Sequence, residues 1–200
     1  MKKIKIIALL FMLAFTCALA NADTLPIKKL DYGKVTMLFE GNILKYYNVD
    51  KKLYDSPLKE KKFLESADYK TLKSRFEEEH STIITNKYVL SSKVKSQFNM
   101  TTSTFTFELP SQFKKKLALQ TTDSHFKDMK FKTPQMDEDT AYKIEMGEST
   151  FELVIRLTGE IDRKHHNALC CVPVKIVIRN KAGQILYEYI VPAEPEQTNE

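Results

Sequence analysis

The sequence predicts an α+β fold, with N-terminal helices packed on an antiparallel β-sheet and a three-stranded meander at the C-terminal end. Two observations predict it. Apolar residues in the first part of the chain recur at three- and four-residue spacing, whereas beyond Lys87 they alternate with polar ones. The last three apolar segments are joined by short polar connections, as consecutive antiparallel strands are.

The chain opens "MKKIKIIALLFMLAFTCALANAD", in which Lys2, Lys3 and Lys5 precede an apolar run from Ile6 to Phe15 and small residues at Ala18, Ala20 and Ala22. That is the pattern of a secretory signal peptide. Residues 1–22 are therefore expected to be removed, with cleavage after Ala22 preferred to cleavage after Ala20. Cys17 lacks the aliphatic residue three positions upstream that a lipid-modified cysteine would need. The apolar run is shorter than the ~20 residues of a bilayer-spanning helix and no second run of that length follows, so no membrane span is expected after cleavage. The expected location is the bacterial periplasm or the exterior.

Without the three leader lysines, 28 basic residues face 26 acidic ones, a net charge of +2. Nucleic acid is therefore not an expected partner. Lys51-Lys52 and Lys114-Lys115-Lys116 read as solvated faces. Residues 23–191 are long enough for one domain with its own core, and 192–200, "PAEPEQTNE" with the preceding valine excluded, read as a disordered tail.

Taken in order, "KVTMLFEGNILKYY" predicts a helix over residues 34–47, with Gly41 as its weak point. Ser56 followed by Pro57 predicts the start of the next. A further helix from about Asp68 places Tyr69, Leu72 and Phe76 on one stripe and is expected to end before the β-branched run Thr82 to Thr85. "KYVLSSKVKSQF" reads as a strand diluted by serine and lysine. "STFTFELP" reads as a half-buried strand with Phe105, Phe107 and Leu109 inward, closed by Pro110. "LALQTT" and "FKDMKFK" read as short strands, and "MDEDTAYKIEM" as a short helix stopped by Gly147. In the meander, one strand carries Phe151, Leu153, Ile155, Leu157 and Ile161 inward. The next places Cys170, Val172, Val174, Ile176 and Ile178 on one side, and the last Ile185, Tyr187, Tyr189 and Val191. Pro173 cannot donate to a ladder, which predicts an edge or a bulge there.

The stretch "RKHHNALCCVP" raises the question of chemistry. Four soft or borderline ligands, His165, His166, Cys170 and Cys171, would have to converge for copper or zinc to bind. Adjacent residues of a strand point to opposite faces, which parts the two thiols. A disulfide between neighbours is opposed by the 3.8 Å separation of consecutive Cα atoms. The favoured reading makes Cys170 a small core residue, turns Cys171 to the other face and leaves both histidines in a polar turn. A cysteine nucleophile paired with His80, His125, His165 or His166 rests on residue type alone.

No nucleophile elbow, phosphate loop, dinucleotide fingerprint or zinc-protease helix occurs, and no cofactor is implied. Tyr46, Tyr47, Tyr187 and Tyr189 are candidate contact residues, since tyrosine presents an apolar body with a polar tip. The expected function is thus an exported, non-enzymatic binding module of the envelope with a protein or envelope component as partner. The alternatives are a thiol redox protein or enzyme using Cys170 or Cys171, and soft-metal binding through the His–Cys stretch.

Overall fold

The computed structural model describes residues 24–108, 111–127 and 129–192. The expected leader, Leu109 with Pro110, and residues 193–200 of the expected tail lie outside the described residues.

Thr24–Pro26 form β1, after which a 3-10 turn at Ile27–Lys29 buries Ile27 in the core. Helix α1, Tyr32–Phe39, starts at Asp31, whose carboxylate accepts from the Lys34 amide at 3.0 Å. The helix expected over 34–47 is broken. Gly41 sits at φ +74°, and Asn42 caps a separate short helix α2, Ile43–Tyr46, by accepting from the Lys45 amide at 3.0 Å. A left-handed glycine followed by a cap residue gives the backbone a better alternative than continuing. Ser56 and Pro57 start α3, Pro57–Glu65, as the sequence implied.

Helix α4, Ala67–Thr85, is longer than expected. The Thr82 and Thr85 hydroxyls donate to carbonyls one turn back at 2.9 and 2.8 Å, and Ile83 packs on both apolar clusters. Tertiary burial thus overrides the weak strand preference of the run. The stripe through Tyr69, Leu72 and Phe76 faces inward, and Phe76 is buried.

Lys87–Lys93 form β2, Thr106–Glu108 form β3, and a short helix α5, Ser111–Lys114, leads into β4, Leu117–Leu119. Phe126–Lys127 (β5) and Lys130–Lys132 (β6) make a hairpin. Helix α6, Glu138–Met146, is capped by the Asp137 carboxylate, which accepts from the Thr140 amide at 2.8 Å, and ends at Gly147. The meander follows as Thr150–Asp162 (β7), Ala168–Arg179 (β8) and Ile185–Ile190 (β9), consecutive strands pairing antiparallel as expected.

The fold class is α+β, with one correction to the sheet: it is mixed. Six strands run β1-β2-β7-β8-β4, with β9 also on β8, and both β1 on β2 and β4 on β8 are parallel. A second, antiparallel sheet has the order β3-β6-β5. It lies against the inner face of the large sheet, where the Phe107 and Phe151 rings stack at 4.8 Å. One apolar cluster joins Phe107 and Phe131 of the small sheet, with Phe105 just before β3, to Phe151, Leu153, Ile155 and Leu157 of β7 and to Ile144 of α6. Burying each such side chain stabilises the fold by roughly 1.5–3 kcal/mol. The other face of the large sheet carries the Arg179–Glu152 and Lys175–Glu188 ion pairs, with Val154 and Val177 buried beside them.

Strand β8 resolves the proline. Leu169 and Cys171 bond toward β4, so Pro173 directs its nitrogen to that same edge, past the end of β4 and short of β9. No donor is missed there. A bulge at Val174 follows, because Ile155 pairs with Pro173 and Val154 with Lys175. The bulge reverses the alternation, so Leu169 and Cys171 share the core with Ile176 and Ile178. The single inward set expected from Cys170 through Ile178 is therefore incorrect.

One buried polar atom predicts a gain from deletion. Ser149 is 3% exposed and its hydroxyl has no hydrogen-bond partner among the described residues. An unpaired buried hydroxyl costs free energy that a methyl group does not. Ser149→Ala should raise stability by about 1 kcal/mol, seen as a higher urea midpoint at unchanged slope.

Candidate functional site

The two cysteines point to opposite faces of β8, as adjacent strand residues must, but with the faces exchanged from expectation. Cys171 lies in the core at 1% exposure, and burial pushes its thiol up to about 12. Cys170 faces the other side of the sheet. Its neighbours in the strands shield it, and burial, with the Glu160 and Asp162 carboxylates, raises its thiol too. Both are free thiols. The Val174 bulge is the cause of the exchange: alternation counted back from Ile178 changes phase when it crosses that residue.

The histidines belong to the β7–β8 turn. Asp162 accepts from the Lys164 and His165 amides at 2.9 and 3.2 Å and meets His165 Nδ1 at 2.6 Å. That contact to His165 is the main reason the Asp162 carboxyl sits below its ordinary range. His166 and Asn167 both have positive φ, 57° and 55°, and the Ala168 amide closes on the His165 carbonyl at 3.1 Å, the pattern of a type I′ turn. The four candidate ligands are thus split between a surface turn, the core and the outer face. No group of three or more His, Cys, Asp or Glu able to hold a metal occurs among the described residues. Replacing His166-Asn167 by Asn-Gly, the dipeptide this turn favours, should stabilise the hairpin by about 1 kcal/mol in urea denaturation.

The tyrosine pairs occupy two separate places. Tyr46 and Tyr47 both donate to Glu79 of α4, Tyr47 at 3.2 Å, while Lys34 reaches the same carboxylate at 3.4 Å. Hydrogen bonding from Tyr46, with the Lys34 charge, keeps the Glu79 carboxyl below its usual range. Tyr189 of β9 donates to Asp123 at 2.7 Å and packs against His125 and Phe131 with ring centres 5.3 Å apart in each case. Burial pushes the Tyr187 and Tyr189 hydroxyls up to about 12. Tyr46, Tyr47 and Tyr189 therefore spend their hydroxyls on carboxylates of the same chain.

A groove that sequence reasoning did not single out is better placed to meet a partner. It has a volume of ≈ 630 Å³ and is lined by Ser91, Ser92 and Lys93 of β2, by Lys95 and Ser96 beyond it, and by Phe107 and Glu108 of β3. Two open strand edges border it. β1 covers β2 only as far as Val89. Val94 donates to Ser149 on the β7 side, so by alternation Ser91 and Lys93 direct their backbone groups away from β7, past the stretch that β1 covers. β3 pairs only with β6, and the Thr106 carbonyl on its free side accepts from the Ser96 hydroxyl, which ties one end of the groove shut.

The groove carries excess positive charge. Glu108 is held by Lys130 at 2.8 Å and Lys114 at 3.5 Å, whereas Lys93 and Lys95 are exposed and have no ion pair among the described residues. The signal in the sequence was the run "LSSKVKS", whose serines and lysines dilute a buried strand because they belong to an edge. Comparison with protein-family models, curated proteins and solved structures finds no match for this chain.

Proposed function

We propose that the protein is an exported, non-catalytic binding module of the bacterial envelope that takes up an extended polypeptide segment along the free edge of β2. The observation that carries this reading is that the Ser91 and Lys93 backbone groups point away from β7, beyond the last residue of β2 that β1 pairs with, beside a groove that can seat side chains. Strand addition draws its affinity from such main-chain groups and its selectivity from the pockets next to them. Export rests on the leader at residues 1–22. Among the described residues no helix is long and apolar enough to cross a membrane.

Ser91→Pro provides the test. Proline at this position removes a donor directed away from β7 and leaves the bonds to β7 in place. Capture of an envelope polypeptide by the processed protein, with slowed amide exchange at Ser91 and Lys93, is the expected result, and Ser91→Pro should abolish it. Equal capture by both forms would remove the β2 edge from the reading. The competing thiol chemistry is checked by alkylating the native protein at neutral pH. Cys171, buried and protonated, should react only on unfolding, and rapid modification of it would favour an enzyme or redox role.

A further inference from the structure

Resting on the strand-addition reading, we infer that the segment seated between β2 and β3 is acidic, with carboxylates at alternate positions. Lys93 and Lys95, which have no ion pair among the described residues, and the exposed Ser91 hydroxyl stand beside the β2 edge. A strand laid along β2 turns its side chains alternately to the two faces of the sheet, one set beside the exposed Lys93 and the other toward Phe107. Carboxylates at that spacing meet the two lysines, while the Ser91 and Ser92 hydroxyls remain to serve as donors.

On the opposite wall, Glu108 would repel such a segment if it stood alone. Its charge is instead answered twice, by Lys130 and by Lys114, so the wall as a whole repels cations rather than anions. The buried Phe107 ring forms the floor, an apolar surface for the intervening side chains of the segment. Edge lysines also discourage two copies of a protein from pairing strand to strand, since like charges would be set opposite each other. The same repulsion selects a partner of opposite sign.

The experiment measures binding of three short peptides to the processed protein. Each alternates valine with a second residue: glutamate, threonine or lysine. Expected is binding of the glutamate peptide about five- to tenfold tighter than the threonine peptide, the lysine peptide weakest, and the preference for glutamate shrinking in high salt. In a Lys93→Glu, Lys95→Glu variant the order should reverse. These substitutions are at exposed positions and leave the ladder with β7 untouched.

Equal binding of all three peptides, with Ser91 and Lys93 amides protected in each case, would overturn the acidic occupant and leave strand addition standing. No protection with any peptide would overturn both. A concentration-dependent dimer that Ser91→Pro dissociates would replace the acidic segment by a second copy of this chain.

Discussion

Gly159→Val should be among the most damaging single changes in this protein, lowering stability by about 3–5 kcal/mol in urea denaturation. Gly159 has φ +86° and lies where the ladder between β7 and β8 shifts register, between Leu157 and Ile161. It is also where α4 crosses the sheet. A Cβ added there would stand 3.4 Å from the His80 ring and 3.5 Å from Ile84 Cγ2. Alanine would carry mainly the backbone cost of a left-handed residue, about 1–2 kcal/mol. Valine adds two branches against a helix whose His80 ring is already engaged edge-on with Phe39, at 5.3 Å between ring centres. Gly183 separates the two terms. Its φ is +83°, and nothing lies within 4 Å of its added Cβ, so Gly183→Val should cost the strain without the crowding. Equal losses at the two positions would show that the close approach of α4 contributes nothing.

Alkaline pH should destabilise the protein steeply. Burial raises the Cys171 thiol from 9.0 to about 12, and raises the Tyr32, Tyr187 and Tyr189 hydroxyls from 10.0 to about 12. Each group keeps its proton in the folded state at a pH where the unfolded chain has lost it. Fewer protons bound in the unfolded state mean that stability falls as pH rises. The contribution is complete below about pH 9, shrinks between 9 and 12, and is gone once the folded groups ionise. For Cys171 alone the loss approaches about 3 kcal/mol at pH 11, and the half-exposed tyrosines add less, being partly screened.

The urea midpoint followed from pH 7 to 11 should therefore stay level and then drop, and Cys171→Ala should flatten the drop. Tyr32→Phe should flatten it further. The Tyr32 hydroxyl has no hydrogen-bond partner among the described residues, so that change removes an unpaired polar atom along with a titrating one. A midpoint independent of pH over this range would contradict the burial of these groups.

Much of the fold was legible because its signals are local. Ser56 with Pro57, Asp137 with its following acids, and the alternation from Phe151 to Leu157 each act within one turn of helix or along one strand. The helix break at Gly41 was visible only as a weak point. It became a break because Asn42 offers its side chain to the Lys45 amide, a choice between two local solutions of similar energy. The extra turn at Thr82–Thr85 was not legible, since its stabilisation comes from packing Ile83 against distant residues.

Local periodicity by itself determined that residues 151–191 are pleated, that neighbouring thiols are parted, and that helices precede the meander, because the alternation of side chains is a property of each segment alone. Only the tertiary structure decided which thiol faces the core and which strand edges stay open. The first depends on a bulge at Val174, placed where β8 passes from one neighbour, β4, to the next, β9. The second depends on where β1 stops and where β3 comes to lie, and a strand's own residues carry no record of how far its neighbour extends.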